Sequence, residues 1–155
     1  RQPNAVWANT RSGGFKDASA ASGPDFQTPR AHRGGAFADF NNDGKIDIVV
    51  TSLGEAAELW ENVSPGQAHW LRLRLAGATS NRDGIGARIT IGDQHNQMTT
   101  AVGYASSSHA GVHFGLGKTR VIPKIEILWP SGVKQVLEQV EADRVLTVKE
   151  PSQSP

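Results

Sequence analysis

Hydrophobic and polar positions alternate with a period of two along the second half of the chain. In HWLRLRLAG, Leu71, Leu73 and Leu75 fall on one face and Trp70, Arg72 and Arg74 on the other, the pattern of a half-buried strand. Shorter stretches of the same kind follow: GARITIG, NQMTTAVGY, GVHFGLG, PKIEILWP, VKQVLEQV and RVLTVKE, each bounded by Gly, Pro, Asn or Asp. About seven short strands with turn residues between them predict an antiparallel β-sandwich from His69 to about Glu150. A helical turn over Glu138–Asp143 is the one departure expected. The first half is less regular. IDIVVTSL reads as a buried strand, while Pro24, Pro29 and the Gly34-Gly35 pair argue against helix before it. Ser64-Pro65-Gly66 marks a boundary, so the expected units are residues 1–66, a sandwich over 67–150 and a loose tail over 151–155.

Two segments of the first part resemble each other. NAVWANTRSGGF and AELWENVSPG each place an apolar residue before Trp, then one residue, then Asn and a turn. Trp7 and Trp60 lie about 50 positions apart, near the roughly 40 to 50 residues of common propeller blades. The first part is therefore expected to hold partial β-propeller blades, and the fold class is all-β. A blade sheet out of its ring has an open edge, which predicts packing on the sandwich or self-association with another copy.

Composition narrows the partners. Hydrophobic residues make up 37% and charged residues 20%, with 17 glycines and 8 prolines, an ordinary globular content tilted toward turns. The formal net charge is +1 and no basic run occurs, so nucleic acid is not an expected partner. No stretch approaches the roughly 18 to 20 apolar residues of a membrane-spanning helix, so no membrane insertion is expected. Cysteine is absent, which removes disulfides and thiolate metal sites. The chain opens at Arg1 without an apolar leader and reads as a piece whose targeting signal would lie outside it.

The chemistry concentrates in ADFNNDGKID. Counted from Asp39, oxygen-bearing side chains stand at positions one, three, five and nine: Asp39, Asn41, Asp43 and Asp47. Gly44 fills position six, where a sharp turn is needed, and Lys45 at position seven can lend its backbone carbonyl. This spacing matches the front of a Ca²⁺ loop, in which alternate side chains supply hard oxygen ligands to one centre. It departs from an EF-hand at position twelve, Val50, and by running into a strand in place of a helix. The competing reading is an Asx-rich turn without metal.

Other constellations are weaker. GLGKT, Gly115 to Thr119, lacks the first glycine of a phosphate loop, since Val112 stands there, and reads as a turn. His109 and His113 would share a strand face, but nothing nearby completes a metal set, and ordinary histidines are the favoured reading. SSSHAG shows no nucleophile-elbow pattern. Asn81, Asp83 and Gly84 form a turn with too few oxygens for a second cation. Trp70 and Trp129 are the candidates for a sugar-stacking platform, with core packing favoured.

GGAFADFNNDGKIDIVVTS resembles the FG-GAP/VCBS repeat of integrin-type β-propellers, whose Asp-x-Asn-x-Asp-Gly-x-x-Asp loop binds calcium between the strands of a blade. The second half is similar to the ASPIC/UnbV domain. That likeness is strongest at Ser80-Asn81-Arg82-Asp83-Gly84-Ile85-Gly86-Ala87 and Trp129-Pro130-Ser131-Gly132. The resemblances imply Ca²⁺ held by Asp39, Asn41, Asp43, the Lys45 carbonyl and Asp47. They also imply a non-catalytic binding or adhesion module of an extracellular, cell-surface or periplasmic repeat protein, with a protein or carbohydrate partner. Neither family carries an established reaction, so no catalytic residues are assigned. The alternatives are a carbohydrate-binding module and a fragment of a secreted enzyme.

Overall fold

Turn residues cut the chain into short strands that pair mainly with their sequence neighbours. The structure, a computed structural model, describes residues 1–10, 12–103, 106–108 and 111–152. In the first half β1 (Trp7–Asn9) and β2 (Phe15–Asp17) form a hairpin, with Trp7 opposite Asp17. Two short 3-10 helices, Ser19–Ser22 and Asp25–Gln27, occupy the stretch that the prolines and glycines keep from becoming α-helix. Next come β3 (His32–Ala38), β4 (Asp47–Ser52) and β5 (Glu58–Trp60), an antiparallel sheet in the order β3-β4-β5. Phe26 meets Trp60 edge-on at 5.2 Å between ring centroids, and Phe26 and Val50 are the buried apolar side chains among the described residues of this half. Beside them the buried Glu58 accepts hydrogen bonds from Asn4 Nδ2 and Trp60 Nε1, ion-pairs with Arg30 and lies 3.3 Å from His32 Nε2. Burial pushes its carboxyl up, but Asn4, Trp60, His32 and Arg30 outweigh that and hold it below the usual range.

The second half runs β6 (His69–Ala76), β7 (Arg88–Ile91), β8 (Gln94–Gln97), β9 (Ala101–Gly103), β10 (Ser106–Ser107) and β11 (Val112–Gly117). It continues with β12 (Val121–Leu128), β13 (Lys134–Glu141) and β14 (Arg144–Lys149). Two sheets, β11-β6-β14 and β13-β12-β7-β8, enclose one core. The leucines of HWLRLRLAG lie in it as expected, with Ile89, Ile125 and Ile127 opposite them.

Two expectations are corrected. The sandwich is mixed, because β14 pairs with β6 in parallel from Arg144↔Leu71 to Lys149↔Ala76. The corner at Ala142-Asp143, with Asp143 at φ 59°, carries the chain across to the other sheet, where the free edge of β6 runs the same way. Glu138–Asp143 is not helical. Most of it is strand, and the ladder skips one pair where Pro123, which has no N–H to donate, stands across from Gln139 at φ 51°. Trp129, 1% exposed, and Trp70, 8% exposed, are both buried, as the favoured reading expected, Trp129 within the sandwich core.

The two halves touch along β3. Its outward Gly35 and Phe37 amides donate to the hydroxyls of Ser106 and Ser108 at 3.1 and 3.0 Å, so side chains of the second half, in and just after β10 of the small β9-β10 hairpin, cover a sheet edge. The packing expected of the first part on the sandwich is thus present. Yet Trp7, Phe15, Phe37, Phe40, Leu53 and Leu59 remain exposed, and among the described residues no sheet closes on itself.

Candidate metal centre

The acidic stretch connects two antiparallel neighbours. β3 ends at Ala38 opposite Asp47, the first residue of β4, so Asp39 and Asp47 flank the mouth of one hairpin. Between them the chain coils inward. Asp39 accepts the Asp43 and Gly44 amides, both at 3.0 Å, on its two oxygens. Asn41 Oδ1 accepts the Asp43 amide at 3.1 Å, and Asp43 Oδ1 accepts the Lys45 amide at 2.8 Å. Asp47 joins the loop to the end of β5, accepting Phe40 N–H at 2.9 Å and Asn62 N–H at 2.8 Å. Asn62 also donates through Nδ2 to the Ile46 carbonyl, and Glu61 accepts from Asn41 Nδ2. Neither residue was singled out as a site residue by the sequence; the repeated Trp-x-Asn of Trp60 and Asn62 was the available signal.

Asp39 and Asp47 are 5% and 2% exposed. Among the described residues, no Lys, Arg or His side chain lies within ion-pairing distance of them or of Asp43. Amide hydrogens supply the local positive field, and each carboxylate oxygen keeps a further lone pair. Buried carboxylates with spare lone pairs, next to an amide oxygen and a backbone carbonyl, fit a hard cation of the Ca²⁺ type in donor chemistry. Among the described residues no three His, Cys, Asp or Glu side chains come together as a metal group. As placed, the three loop carboxylates of Asp39, Asp43 and Asp47 are engaged by backbone amides and are not gathered on one point; they, Asn41 and the Lys45 carbonyl are the groups that would hold such an ion, which would supply positive charge that no described side chain provides.

The sandwich covers this loop. Trp70 lies against Gly44, where an added Cβ would fall 2.0 Å from the indole Cδ1, and Gly44 holds φ 88°. Only glycine meets both conditions. Arg72, 8% exposed, donates to Asn42 Oδ1 at 3.3 Å. His113 stacks on Trp70 with centroids 5.8 Å apart and planes 9° from parallel. Burial pushes its imidazole below the ordinary value, partly opposed by Asp39 and reinforced by Arg72. Trp70 and Gly44 also line a cleft of about 730 Å³ that opens between Asp43, Lys45, His69 and Asp143. His69 Nδ1 and Asp143 Oδ2 are 2.7 Å apart there.

The remaining candidates resolve as structure. His109 lies outside the described residues. GLGKT is the end of β11 and a turn, with Gly117 at φ 58°. Asn81 bonds both the amide and the carbonyl of Ile85 at 2.8 Å, and Asp83 pairs with Arg82, so that turn is closed by its own side chains. The sequence did not single out Glu150, which the two strongest motifs of the second half surround. It accepts the Ala78, Thr79 and Ser80 amides at 2.7 to 2.8 Å and the hydroxyls of Ser80 and Ser131. Burial pushes its carboxyl up, but these donors, Ser131 foremost, hold it down at about 2.

A blade-type sheet with an acidic hairpin loop, joined to a two-sheet sandwich, defines an all-β protein of the repeat-plus-sandwich kind. The chain belongs to the ASPIC and UnbV family, whose model matches residues 77–155. An FG-GAP-like repeat matches residues 1–50. Over 63 residues the chain is 52% identical to cartilage acidic protein 1 of Homo sapiens and 50% identical to that of Mus musculus. Each match covers 40% of this chain and 9% of the relative. Cartilage acidic protein 1 of Xenopus tropicalis is 25% identical over 107 residues, 64% of this chain and 16% of that protein. The chain thus spans only a small part of the curated relatives it matches.

Proposed function

We propose that the chain is a non-catalytic, calcium-binding interaction module of an extracellular or periplasmic repeat protein. The observation that carries this reading is the pair of buried carboxylates, Asp39 and Asp47, at the mouth of one hairpin without a cationic partner among the described residues. The FG-GAP-like repeat and the relatives named for cartilage support an extracellular setting. Calcium would hold the β3–β4 connection and the end of β5 in one conformation. The exposed apolar side chains of the blade sheet would then be presented to a protein partner.

Extracellular modules bind Ca²⁺ with Kd of about 10⁻⁴ to 10⁻³ M. At ~10 mM Ca²⁺ that adds roughly 1.4 to 2.7 kcal/mol by linkage. Melting should rise by several degrees, at about 2 to 4 °C per kcal/mol, and chelator should reverse the rise. Asp43→Ala should abolish the shift. Lys45→Ala should preserve it, because position 45 lends only backbone oxygen. Mg²⁺ should substitute poorly, since its octahedral shell resists a site of several protein oxygens. Melting indifferent to Ca²⁺, with no binding heat up to tens of millimolar, about ten times the weak end of that range, would reject the ion.

A further inference from the structure

Trp70 and Arg72 sit on the face of β6 that points away from the sandwich core, yet each is only 8% exposed. Arg74, next on the same face, is exposed. The acidic loop is the part of the first half that lies against Trp70 and Arg72 among the described residues. Trp70 touches it at Gly44, and Arg72 at Asn42, which holds φ 59°, a left-handed conformation uncommon outside glycine. These two loop residues are not in the proposed ligand set, but they alternate with it: Asn42 stands between Asn41 and Asp43, and Gly44 between Asp43 and Lys45. A contact that fixes them therefore fixes the directions in which Asn41, Asp43 and the Lys45 carbonyl point. The seat is itself braced. His113, opposite Arg72 on β11, stacks on the Trp70 ring system, and Asp143 bonds the Trp70 backbone in both directions. Arg72 Nε is buried with no hydrogen-bond partner, so its guanidinium is held by packing and by Asn42.

We infer that Trp70, with Arg72 beside it, is a positioning residue for the ion: the outer face of the sandwich sheet preorganises the acidic loop, so ion occupancy and sandwich stability are coupled across the two halves. This rests on the calcium reading of the loop. Coupling between sites is reciprocal in free energy, so two independent readouts follow from one contact. Loss of the seat weakens the ion, and binding of the ion tightens the seat.

The test is calorimetric Ca²⁺ titration of the full chain alongside hydrogen exchange of the β6 and β11 amides. Trp70→Ala should weaken Ca²⁺ binding by roughly fivefold or more, the lower end of ordinary coupling. Trp70→Phe, which keeps a ring over Gly44, should restore most of the affinity. Ile127→Val, a substitution in the sandwich core away from the loop, should leave affinity unchanged although it lowers the melting temperature. Saturating Ca²⁺ should slow exchange at Leu71, Leu73 and Phe114 in the wild-type chain and leave it unaltered in Trp70→Ala. Equal Kd values for wild type and Trp70→Ala would overturn the coupling while leaving the calcium site standing. The same loss in Ile127→Val would reduce Trp70 to a general stabiliser and also overturn it. Absence of any Ca²⁺ heat from the wild-type chain would remove the calcium reading and the coupling together.

Discussion

Gly44 and Glu150 show how much single residues carry here. At Gly44 a side chain meets two obstacles, a left-handed backbone and the Trp70 indole. Gly44→Ala should cost about 1 to 3 kcal/mol in backbone strain and a similar amount, about 1 to 3 kcal/mol, for displacing the ring. Thermal or denaturant unfolding measures the loss, and red-shifted tryptophan emission would report the uncovered indole. Glu150 ties the end of β14 to the turn after β6 and to the Trp129-Pro130-Ser131 corner. Its folded pKa of about 2 lies below the ordinary 4.5. The stability it contributes is therefore fully present above pH about 4.5 and is lost as pH falls toward 2. Glu150→Gln should lower melting at neutral pH and flatten the decline between those limits. Glu58, also depressed, keeps part of that decline in the variant. An unchanged acid profile would show that the carboxylate is not held as described.

At the level of elements, the strands divide by what covers their edges. β6 lies between β11 and β14, and its leucines are enclosed, so its pairing is enforced from both sides. β3 has β4 on one side and, among the described residues, the hydroxyls of Ser106 and Ser108 bonded to its amides on the other. A single exposed side-chain hydrogen bond contributes roughly 0.5 to 1.5 kcal/mol. Ser108→Ala should therefore change global stability little while speeding hydrogen exchange at the Phe37 amide. Exchange at Phe37 as fast in the wild type as in the variant would mean that the second half does not cap this edge in solution. The difference between the two strands follows from sequence pattern: uninterrupted alternation in β6, and a Gly34-Gly35 pair in β3 that offers no side chains to pack.

Across the whole molecule the apolar surface is unevenly placed. The second half keeps one continuous core, whereas Trp7, Phe15, Phe37, Phe40, Leu53 and Leu59 lie open on the first. Strand β5 is a free edge of its sheet, and Leu59, 66% exposed, sits in its middle. Concentrated protein should self-associate through this region, and Leu59→Lys should shift sedimentation toward the monomer, because charge on an edge strand opposes pairing. Sedimentation independent of concentration would show that the open surface is not sticky enough to pair.

What the sequence determined by itself is what depends on neighbours along the chain. Period-two alternation placed β6, β11 and β12, because which face of a strand is buried is written in successive residues. The FG-GAP-like and ASPIC/UnbV assignments were legible for the same reason: Asp39 to Asp47 and Ser80 to Ala87 are contiguous motifs whose spacing survives without a fold. Only the tertiary structure decided the rest. The parallel pairing of β14 depends on which sheet edge stays open after the others pair, and the sandwich was expected to be antiparallel because that information is absent from β14 itself. Pro123 and Gln139 make one irregularity only when β12 and β13 are side by side. Trp70 and Trp129 were candidates for a sugar face, and their burial was settled by what packs on them: Gly44 from the other half for one, the core for the other. Glu150 went unnoticed because its donors lie about 20 and 70 residues away, where three amides and two hydroxyls outweigh the cost of removing a carboxylate from water.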